Sequence, residues 1–414
     1  MNKSKHRMPI KIQASKSILN RLLIIATMMD KPLKFRNFSN CDDIRTMTEN
    51  LFILGYNIIE RGDFLTISKT HDHSGKVQLS VRDSATAARF LLARLSVWEG
   101  LKSKLELTEQ LQKRPLKTMI DALKKLGAEI DMESYPINIV GKNIIDHKIS
   151  IDAGISSQFV SALMLISPEL KNGLKIELEN EIVSKDYINM TAEIMRDFGV
   201  DVIIHKDFIE IPQGQKYEQK EIYNVEPDYS SAAYFWAIGA NSEYWIATEP
   251  ISENSLQPDY GFLEILKKMG ASVKIQNEMI WVKKGELHGI EFDMKHMPDQ
   301  VPTLAVLAIF AKTPTKIKNI NHLRYKESDR IKSIQSELAK LGVQLKYEEE
   351  HLIVLPCNKL NTSKILSSHN DHRIAMSLFI LKIIYPEIQI DDLNCINKSN
   401  PDFLENMNSL IVNS

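Results

Sequence analysis

The chain has 414 residues, of which 43% are hydrophobic, and a formal net charge of -1 at pH 7. This length predicts more than one domain, and the apolar content is enough for sizeable cores. Such an even charge balance gives no reason to expect nucleic acid or a membrane surface as a partner. The apolar run at 303–311 is far shorter than the roughly 20 residues that span a bilayer.

The cysteines and the amino terminus predict the compartment. Cys41, Cys357 and Cys395 form neither a CxxC pair nor a zinc-ligand spacing, and their odd number favours reduced thiols over disulfides. Residues 1–10 are basic, but no long apolar segment follows them, so we expect no signal peptide. The sequence therefore predicts a soluble, cytoplasmic protein.

One helical unit recurs along the chain. A pair formed by an apolar residue and a glycine ends at 55, 127, 199, 270 and 342, so successive glycines lie 71 or 72 residues apart. Before each pair, mostly apolar residues at helical spacing predict an amphipathic helix that ends at the glycine. The sets are Ile44, Met47, Leu51 and Leu54; Leu116, Met119, Leu123 and Leu126; Ile188, Thr191, Met195 and Phe198; Phe262, Leu266 and Met269; and Ile331, Ile334, Leu338 and Leu341. With a sixth helix expected near Leu404, the chain is predicted to hold six copies of one unit, in two halves of three.

The first predicted helix has a start suited to anions. Residues 11–23 predict a short strand and then a helix that begins at Ser15 or Ser17, with Lys16 and Arg21 around its first turn. A helix N-terminus carries partial positive charge and free N–H groups, so this start favours a bound anion. A simple serine cap with surface cations is the alternative.

Polar and charged residues recur at later helix starts. Pro favours the first helical position, so Pro115 is expected to begin a helix and Arg114 to lie immediately before its N-terminus. The groups are Ser84 with Arg89; Arg114; Ser156, Ser157 and Gln158; Ser184, Lys185 and Tyr187; Asp228, Ser230 and Ser231; Asp299; Asp371, His372 and Arg373; and Lys398.

Residues 322–342 carry the densest charge of both signs. The segment 324–330 contains Arg324, Lys326, Glu327, Asp329 and Arg330, and a predicted amphipathic helix follows it. Ser328 is expected to be the N-cap of this helix, which would gather the charges at its N-terminus. A solvated charged turn is the alternative.

Many cations with a few acids at helix starts indicate a negatively charged substrate pair and acid–base chemistry. Neither GxGxxG nor GxxxxGK[ST] occurs in the sequence, so no nucleotide cofactor is expected. The sequence shows no cluster of metal-ligating residues, and His372 fits a structural histidine better than a metal ligand.

Ten motifs follow one another between residues 11 and 403: ASKSILNR, SATAARFL, KRPL, SSQFVSALML, VSKDY, PDYSSAAYF, MPDQVPTLAVLA, LRYKESDRI, NDHRIAM and NKSNPDF. Together they resemble the 5-enolpyruvylshikimate-3-phosphate synthase family of enolpyruvyl transferases. The resemblance implies an α/β fold of two similar domains, each of three βαβαββ units, with the active site in the interdomain cleft. We expect one domain over residues 15–227 and the other over 1–14 with 228–414.

The resemblance also implies the reaction. The enolpyruvyl group of phosphoenolpyruvate passes to the 5-hydroxyl of shikimate-3-phosphate by addition and elimination, and phosphate is released; this is a step of aromatic amino acid biosynthesis. No cofactor or metal is implied, the partners are the two small substrates rather than nucleic acid or membrane, and the protein is expected to be a monomer. Cations facing one another across a cleft repel, so the empty protein is expected to be open and to close on its substrates.

The family's functional residues carry over to matching positions. For shikimate-3-phosphate they are Lys16, Ser17, Arg21, Ser156, Ser157, Gln158, Ser184, Tyr187, Asp299 and Lys326. For phosphoenolpyruvate they are Lys16, Asp83, Ala85, Arg114, Gln158, Arg330, Arg373 and Lys398. By the same resemblance Asp299 takes the proton of the 5-hydroxyl, Glu327 transfers a proton at the methylene carbon, and Lys16 is the third catalytic residue.

Three positions depart from the family pattern. Ala85 stands where the family usually has Gly, Asp83 where Asn is common, and His322 where Asn is frequent. These departures are expected to affect substrate affinity more than substrate identity.

Two alternatives remain. UDP-N-acetylglucosamine enolpyruvyl transferase shares the fold but usually carries a cysteine before the second-repeat helix, and no cysteine lies between Cys41 and Cys357. A non-catalytic anion-binding homologue would not need both Asp299 and Glu327.

Overall fold

A computed structural model describes residues 9–71, 75–252 and 254–412 of the chain. It divides into two compact units. We call residues 14–226 the first unit and residues 1–13 together with 227–414 the second unit. The domain boundaries predicted after residues 14 and 227 each lie one residue from the unit boundaries after residues 13 and 226. The basic residues 1–8 lie outside the described part. Among the residues that are described, no helix has the length and apolar content needed to cross a membrane.

The described residues contain thirteen α-helices and twenty-two strands. The helices are α1 (Lys16–Ala26), α2 (Asp42–Ile53), α3 (Ala85–Ser96), α4 (Glu109–Gln112), α5 (Lys117–Lys125), α6 (Ser157–Ile166), α7 (Lys185–Asp197), α8 (Tyr229–Asn241), α9 (Phe262–Met269), α10 (Val301–Ala308), α11 (Arg330–Lys340), α12 (His372–Ile384) and α13 (Phe403–Val412). The strands are β1 (Ile10–Lys11), β2 (Leu33–Arg36), β3 (Tyr56–Arg61), β4 (Phe64–Lys69), β5 (Gly75–Ser80), β6 (Leu101–Glu106), β7 (Glu129–Asp131), β8 (Ile137–Val140), β9 (Lys148–Asp152), β10 (Leu174–Glu179), β11 (Ile203–Ile204), β12 (Phe208–Ile211), β13 (Ile222–Asn224), β14 (Ile246–Glu249), β15 (Ser272–Gln276), β16 (Met279–Lys283), β17 (Glu291–Asp293), β18 (Thr315–Lys318), β19 (Leu345–Glu348), β20 (His351–Val354), β21 (Ile365–Leu366) and β22 (Gln389–Ile390).

Five of the six sheets formed by the described strands share one topology. Their orders are β13-β2-β4-β3, β5-β6-β8-β7, β9-β10-β12-β11, β1-β14-β16-β15 and β17-β18-β20-β19, and the sixth sheet is the pair β21-β22. In each four-stranded sheet the first two strands are parallel and the others pair antiparallel, as in βαβαββ units. The predicted repeat is therefore confirmed in the five four-stranded sheets, with β21-β22 as a shorter sixth sheet. β13 and β1 each complete the first sheet of their unit from a distant part of the chain.

The predicted apolar stripes form the buried faces of α2, α5, α7, α9 and α11. No residue of these stripes is more than 2% exposed. The glycine after each helix has a positive φ, between +77° and +107°, which glycine adopts without the steric penalty of a β-carbon. The sixth helix, predicted near Leu404, is α13, which begins at Phe403. The buried side chain is Phe403, which packs against the rings of Tyr234 and Phe379.

Two predicted helix starts also differ from the structure. Asp329, not Ser328, caps α11, because its carboxylate accepts the Lys332 N–H at 3.2 Å while the Ser328 hydroxyl donates to Asp371 at 3.1 Å. Pro115 is not in the first turn of α5, which begins at Lys117. The Arg114 N–H instead closes the turn after α4 on the Leu111 carbonyl at 3.0 Å.

Three helices in each unit are buried almost all round. In the first unit they are α1, α3 and α6, and in the second α8, α10 and α12; within each unit these helices contact one another. Apolar side chains on every face explain this placement, because a helix of that composition is stable only inside a core. The residues at the starts of these central helices are therefore held by the cores.

Candidate active site

The guanidinium of Arg330 joins three carboxylates in the second unit. Arg330 is the first residue of α11 and is 2% exposed. Its Nη1 donates to Asp299 at 2.7 Å, and its Nη2 donates to Glu327 at 2.9 Å. Its Nε and Nη2 donate to the two oxygens of Asp371 at 2.9 and 3.3 Å. Each carboxylate thus receives a charge-assisted bond.

Three helix starts bring these groups together. Asp371 caps α12, accepting the Arg373 N–H at 2.9 Å, and is fully buried. Asp299 lies in a short 3-10 turn directly before α10, and Glu327 lies three residues before Arg330. The starts of α10, α11 and α12 are consequently adjacent. The sequence predicted these three helix starts but not that they lie together.

Two further cations complete the cluster. Arg373 Nη2 contacts the second oxygen of Asp299 at 2.9 Å, and its Nη1 donates to the Tyr234 hydroxyl at 3.3 Å. Lys398 Nζ lies 3.4 Å from the second oxygen of Glu327. Asp299 and Glu327 therefore each bridge two cations, and we call Asp299, Glu327, Arg330, Asp371, Arg373 and Lys398 the charge cluster.

The cluster sets the protonation of its members. Burial alone would raise the pKa of Asp299, but the charges of Arg373, Arg330 and Lys326 outweigh it and hold the pKa well below its usual range. Burial would lower the pKa of Arg330, yet Asp371, Asp299 and Glu327 raise it above the ordinary arginine value. Asp299 is accordingly ionised and a weak base as long as both arginines contact it.

The pKa of a further carboxylate, that of Asp259, is shifted in the opposite direction to the pKa of Asp299. Asp259 is 1% exposed, and its carboxylate accepts a hydrogen bond from the Ser230 hydroxyl. Burial, together with the nearby charge of Asp299, raises the pKa of Asp259 to about 7. The sequence did not predict a role for Asp259; its one distinguishing feature there is that it takes the place of the first apolar residue in the fourth repeat, before Phe262, Leu266 and Met269.

His322 lies in the 3-10 turn Asn321–Tyr325 that leads to Lys326, and it is 9% exposed. Burial and the charge of Lys326 lower its pKa to about 3. The imidazole is therefore neutral at physiological pH.

In the first unit, the predicted residues lie at or near the starts of α1, α3, α6 and α7, except for Arg114, which lies between α4 and α5. Lys16 is the first residue of α1, and its Nζ donates to buried Asp43 at 2.7 Å. Ala85 is the first residue of α3 and is 5% exposed. The carboxylate of Asp83, just before it, accepts a hydrogen bond from the Thr108 hydroxyl.

The α6 start is held by its own residues and by α3. Ser156 caps α6 by accepting the Gln158 N–H at 3.3 Å. The Gln158 side chain accepts from Arg89 and donates to the Thr86 hydroxyl at 3.1 Å. Gln158 is thus fixed between two residues of α3.

The guanidinium of Arg21 forms hydrogen bonds with other residues of the first unit. It is 2% exposed, and its donors contact Thr191 Oγ1 at 2.7 Å, the Ser17 carbonyl at 2.6 Å, Ser161 Oγ at 3.2 Å and the Tyr187 carbonyl at 3.4 Å. These bonds tie the starts of α1 and α7 together. Ser184, at the α7 start, has a φ of +53°, a conformation that few non-glycine residues adopt.

Comparison with known proteins identifies the family. The model of the family described as EPSP synthase (3-phosphoshikimate 1-carboxyvinyltransferase) matches residues 3–407. The chain belongs to the EPSP synthase family. A relative from Vibrio campbellii named 3-phosphoshikimate 1-carboxyvinyltransferase is 34% identical over 412 residues, which cover 97% of this chain and 96% of the relative. One of the same name from Shewanella loihica is 35% identical over 408 residues, covering 95% and 94%.

The fold agrees with this family. An EPSP synthase structure from Acinetobacter baumannii is similar, with a TM-score of 0.78, 23% identity and coverage of 97% of this chain and 96% of that one. The predicted family and α/β fold of two similar domains are confirmed.

The neutral state of His322 makes stability depend on pH. Between about pH 6.5 and 3 the unfolded chain binds a proton at this residue that the folded protein does not, so the free energy of unfolding falls as pH falls. We expect His322→Asn to reduce that slope by up to about 1.4 kcal/mol per pH unit, the value for one proton. Urea unfolding between pH 4 and 8 measures it, with the exposed His147→Asn as control. Equal slopes for both variants would refute the assignment.

Proposed function

We propose that the charge cluster binds phosphoenolpyruvate and that the helix starts of the first unit bind most of shikimate-3-phosphate. The family's reaction transfers the enolpyruvyl group of phosphoenolpyruvate to the 5-hydroxyl of shikimate-3-phosphate in aromatic amino acid biosynthesis. The observation that carries the proposal is the contact of one buried arginine with both candidate acid–base carboxylates.

The cations of the cluster suit a substrate bearing a phosphate and a carboxylate. Arg330, Arg373 and Lys398 present planar forks and a point charge, which match these anions through charge-assisted bonds. In the structure these cations contact Asp299 and Glu327. A bound substrate anion would compete for them while Asp371 keeps its hold on Arg330.

This competition would prepare the carboxylates for proton transfer. Because the arginines hold the pKa of Asp299 low, a substrate that draws their donors away makes Asp299 a stronger base. Asp299 then accepts the proton of the 5-hydroxyl while the hydroxyl oxygen bonds to C2 of phosphoenolpyruvate. Glu327 gives a proton to the methylene carbon. In the elimination the bond from C2 to the phosphate oxygen breaks, the methyl group returns a proton to the Glu327 carboxylate, and phosphate leaves with the proton that Asp299 had accepted.

The remaining assignments follow the resemblance. For shikimate-3-phosphate we propose Lys16, Ser17, Arg21, Ser156, Ser157, Gln158, Ser184, Tyr187 and Lys326 with Asp299; for phosphoenolpyruvate we add Lys16, Asp83, Ala85, Arg114 and Gln158. Contact with Arg21 would require exchange of one of its internal acceptors. Lys16 would likewise exchange Asp43 for a substrate anion.

We also propose a cytoplasmic monomer whose partners are its two substrates, without nucleic acid, membrane or cofactor. The net charge of -1 and the lack of glycine-rich nucleotide motifs in the sequence support this proposal.

Phosphate release from phosphoenolpyruvate tests the acceptor directly. We expect release that depends on shikimate-3-phosphate and none above background with UDP-N-acetylglucosamine, the substrate of the sister enzyme. Release with the sugar nucleotide, or with neither acceptor, would contradict the proposed function.

Substitution of the two acids tests their roles. Asp299→Asn and Glu327→Gln remove a proton acceptor or donor while keeping the side-chain shape, so kcat should fall by roughly 10²–10⁴ in each. Glu348→Gln, which alters an exposed carboxylate paired with Lys346, is the matched control and should retain activity. Turnover near that of the control in both acid variants would exclude these roles.

A further inference from the structure

Glu337 is a buried carboxylate that the reaction does not use. It lies on α11, seven residues after Arg330, and its side chain is 1% exposed. Four donors surround it: Lys340 Nζ at 2.6 Å, the Ser367 N–H at 2.7 Å, His369 Nε2 at 2.8 Å and the Ser336 hydroxyl at 3.0 Å. A buried charge with a full set of donors is held in one orientation.

Two of these donors belong to the segment 367–371, which precedes α12. The segment is held in an unusual backbone conformation, since His369 and Asn370 have φ values of +53° and +50°. Non-glycine residues adopt such values in succession only when their surroundings impose them. Asp391 supplies the other anchor, accepting the Ser367 hydroxyl at 2.6 Å and the Ser368 N–H at 2.8 Å.

The segment ends at Asp371, whose carboxylate holds Arg330. Contacts therefore close a ring: Arg330 begins α11, Glu337 follows two turns later, Glu337 holds the 367–371 segment, and Asp371 returns to Arg330. We propose that Glu337 is a positioning residue that sets the place of Asp371 and, through it, the orientation of the Arg330 guanidinium. This inference rests on the proposed role of Arg330 in binding phosphoenolpyruvate.

A purely structural role would give a different result, and α11 offers the control. Leu338 is the next residue, is fully buried and packs in the core of the second unit. Leu338→Ala should destabilise α11 through lost packing without removing a bond to the 367–371 segment. Comparison with Glu337→Ala separates loss of stability from loss of positioning.

The experiment measures amide hydrogen exchange of 367–371 and steady-state kinetics, well below the unfolding temperature. In Glu337→Ala we expect faster exchange in this segment. We also expect kcat/KM for phosphoenolpyruvate to fall roughly 10–100-fold, the scale of a small misplacement, with little change in KM for shikimate-3-phosphate. Glu337→Gln should recover part of the slow exchange in the segment and part of the kcat/KM for phosphoenolpyruvate, because its amide oxygen can still accept the Ser367 N–H. Leu338→Ala should change neither segment exchange nor kinetics.

Unchanged exchange in the segment, or equal kinetic losses in Glu337→Ala and Leu338→Ala, would overturn the inference. If the unsubstituted chain shows no carboxyvinyl transfer, the proposed function fails. The exchange measurement still decides whether Glu337 holds the segment, so the two failures are distinguishable.

Discussion

The contact of Arg330 with three carboxylates is the interaction on which the rest of the site depends. An ionised group inside a protein is costly unless it is paired and hydrogen-bonded. The guanidinium meets this condition because its planar array of donors can serve several acceptors at once. Within the cluster three cations face three carboxylates, so the formal charges balance.

This balance links folding to function. The starts of α10, α11 and α12 must meet for Asp299, Arg330 and Asp371 to pair, and the apolar faces of α10 and α12 fix where those starts lie. Well-packed apolar residues often replace buried ion pairs without loss of stability. The proposed exchange of internal partners for substrate anions instead explains why a charged cluster occurs at a site that would bind anions and transfer protons.

The sequence predicted those features that depend on local physics. Helical spacing and the C-terminal glycines gave the repeat, because a buried face and a positive φ constrain residues within one turn. The starts at Ser328 and Pro115 were wrong, since several nearby residues could each serve as a cap and tertiary contacts decide among them. Asp371 was predicted only as part of a helix start, and Glu337 not at all. Their partners lie 41 and 30 residues away in sequence, a pairing that only the packed core defines.

Arg330→Lys tests the central claim most directly. Lysine keeps the charge but offers a single point in place of a fork, so it cannot hold Asp299, Glu327 and Asp371 together. We predict that kcat/KM for phosphoenolpyruvate falls roughly 10²-fold and that the free energy of unfolding falls by about 1–3 kcal/mol. Arg324→Lys, in the same segment and partly exposed, is the control and should change neither quantity appreciably. An Arg330→Lys variant with the stability and kcat/KM of that control would contradict the account.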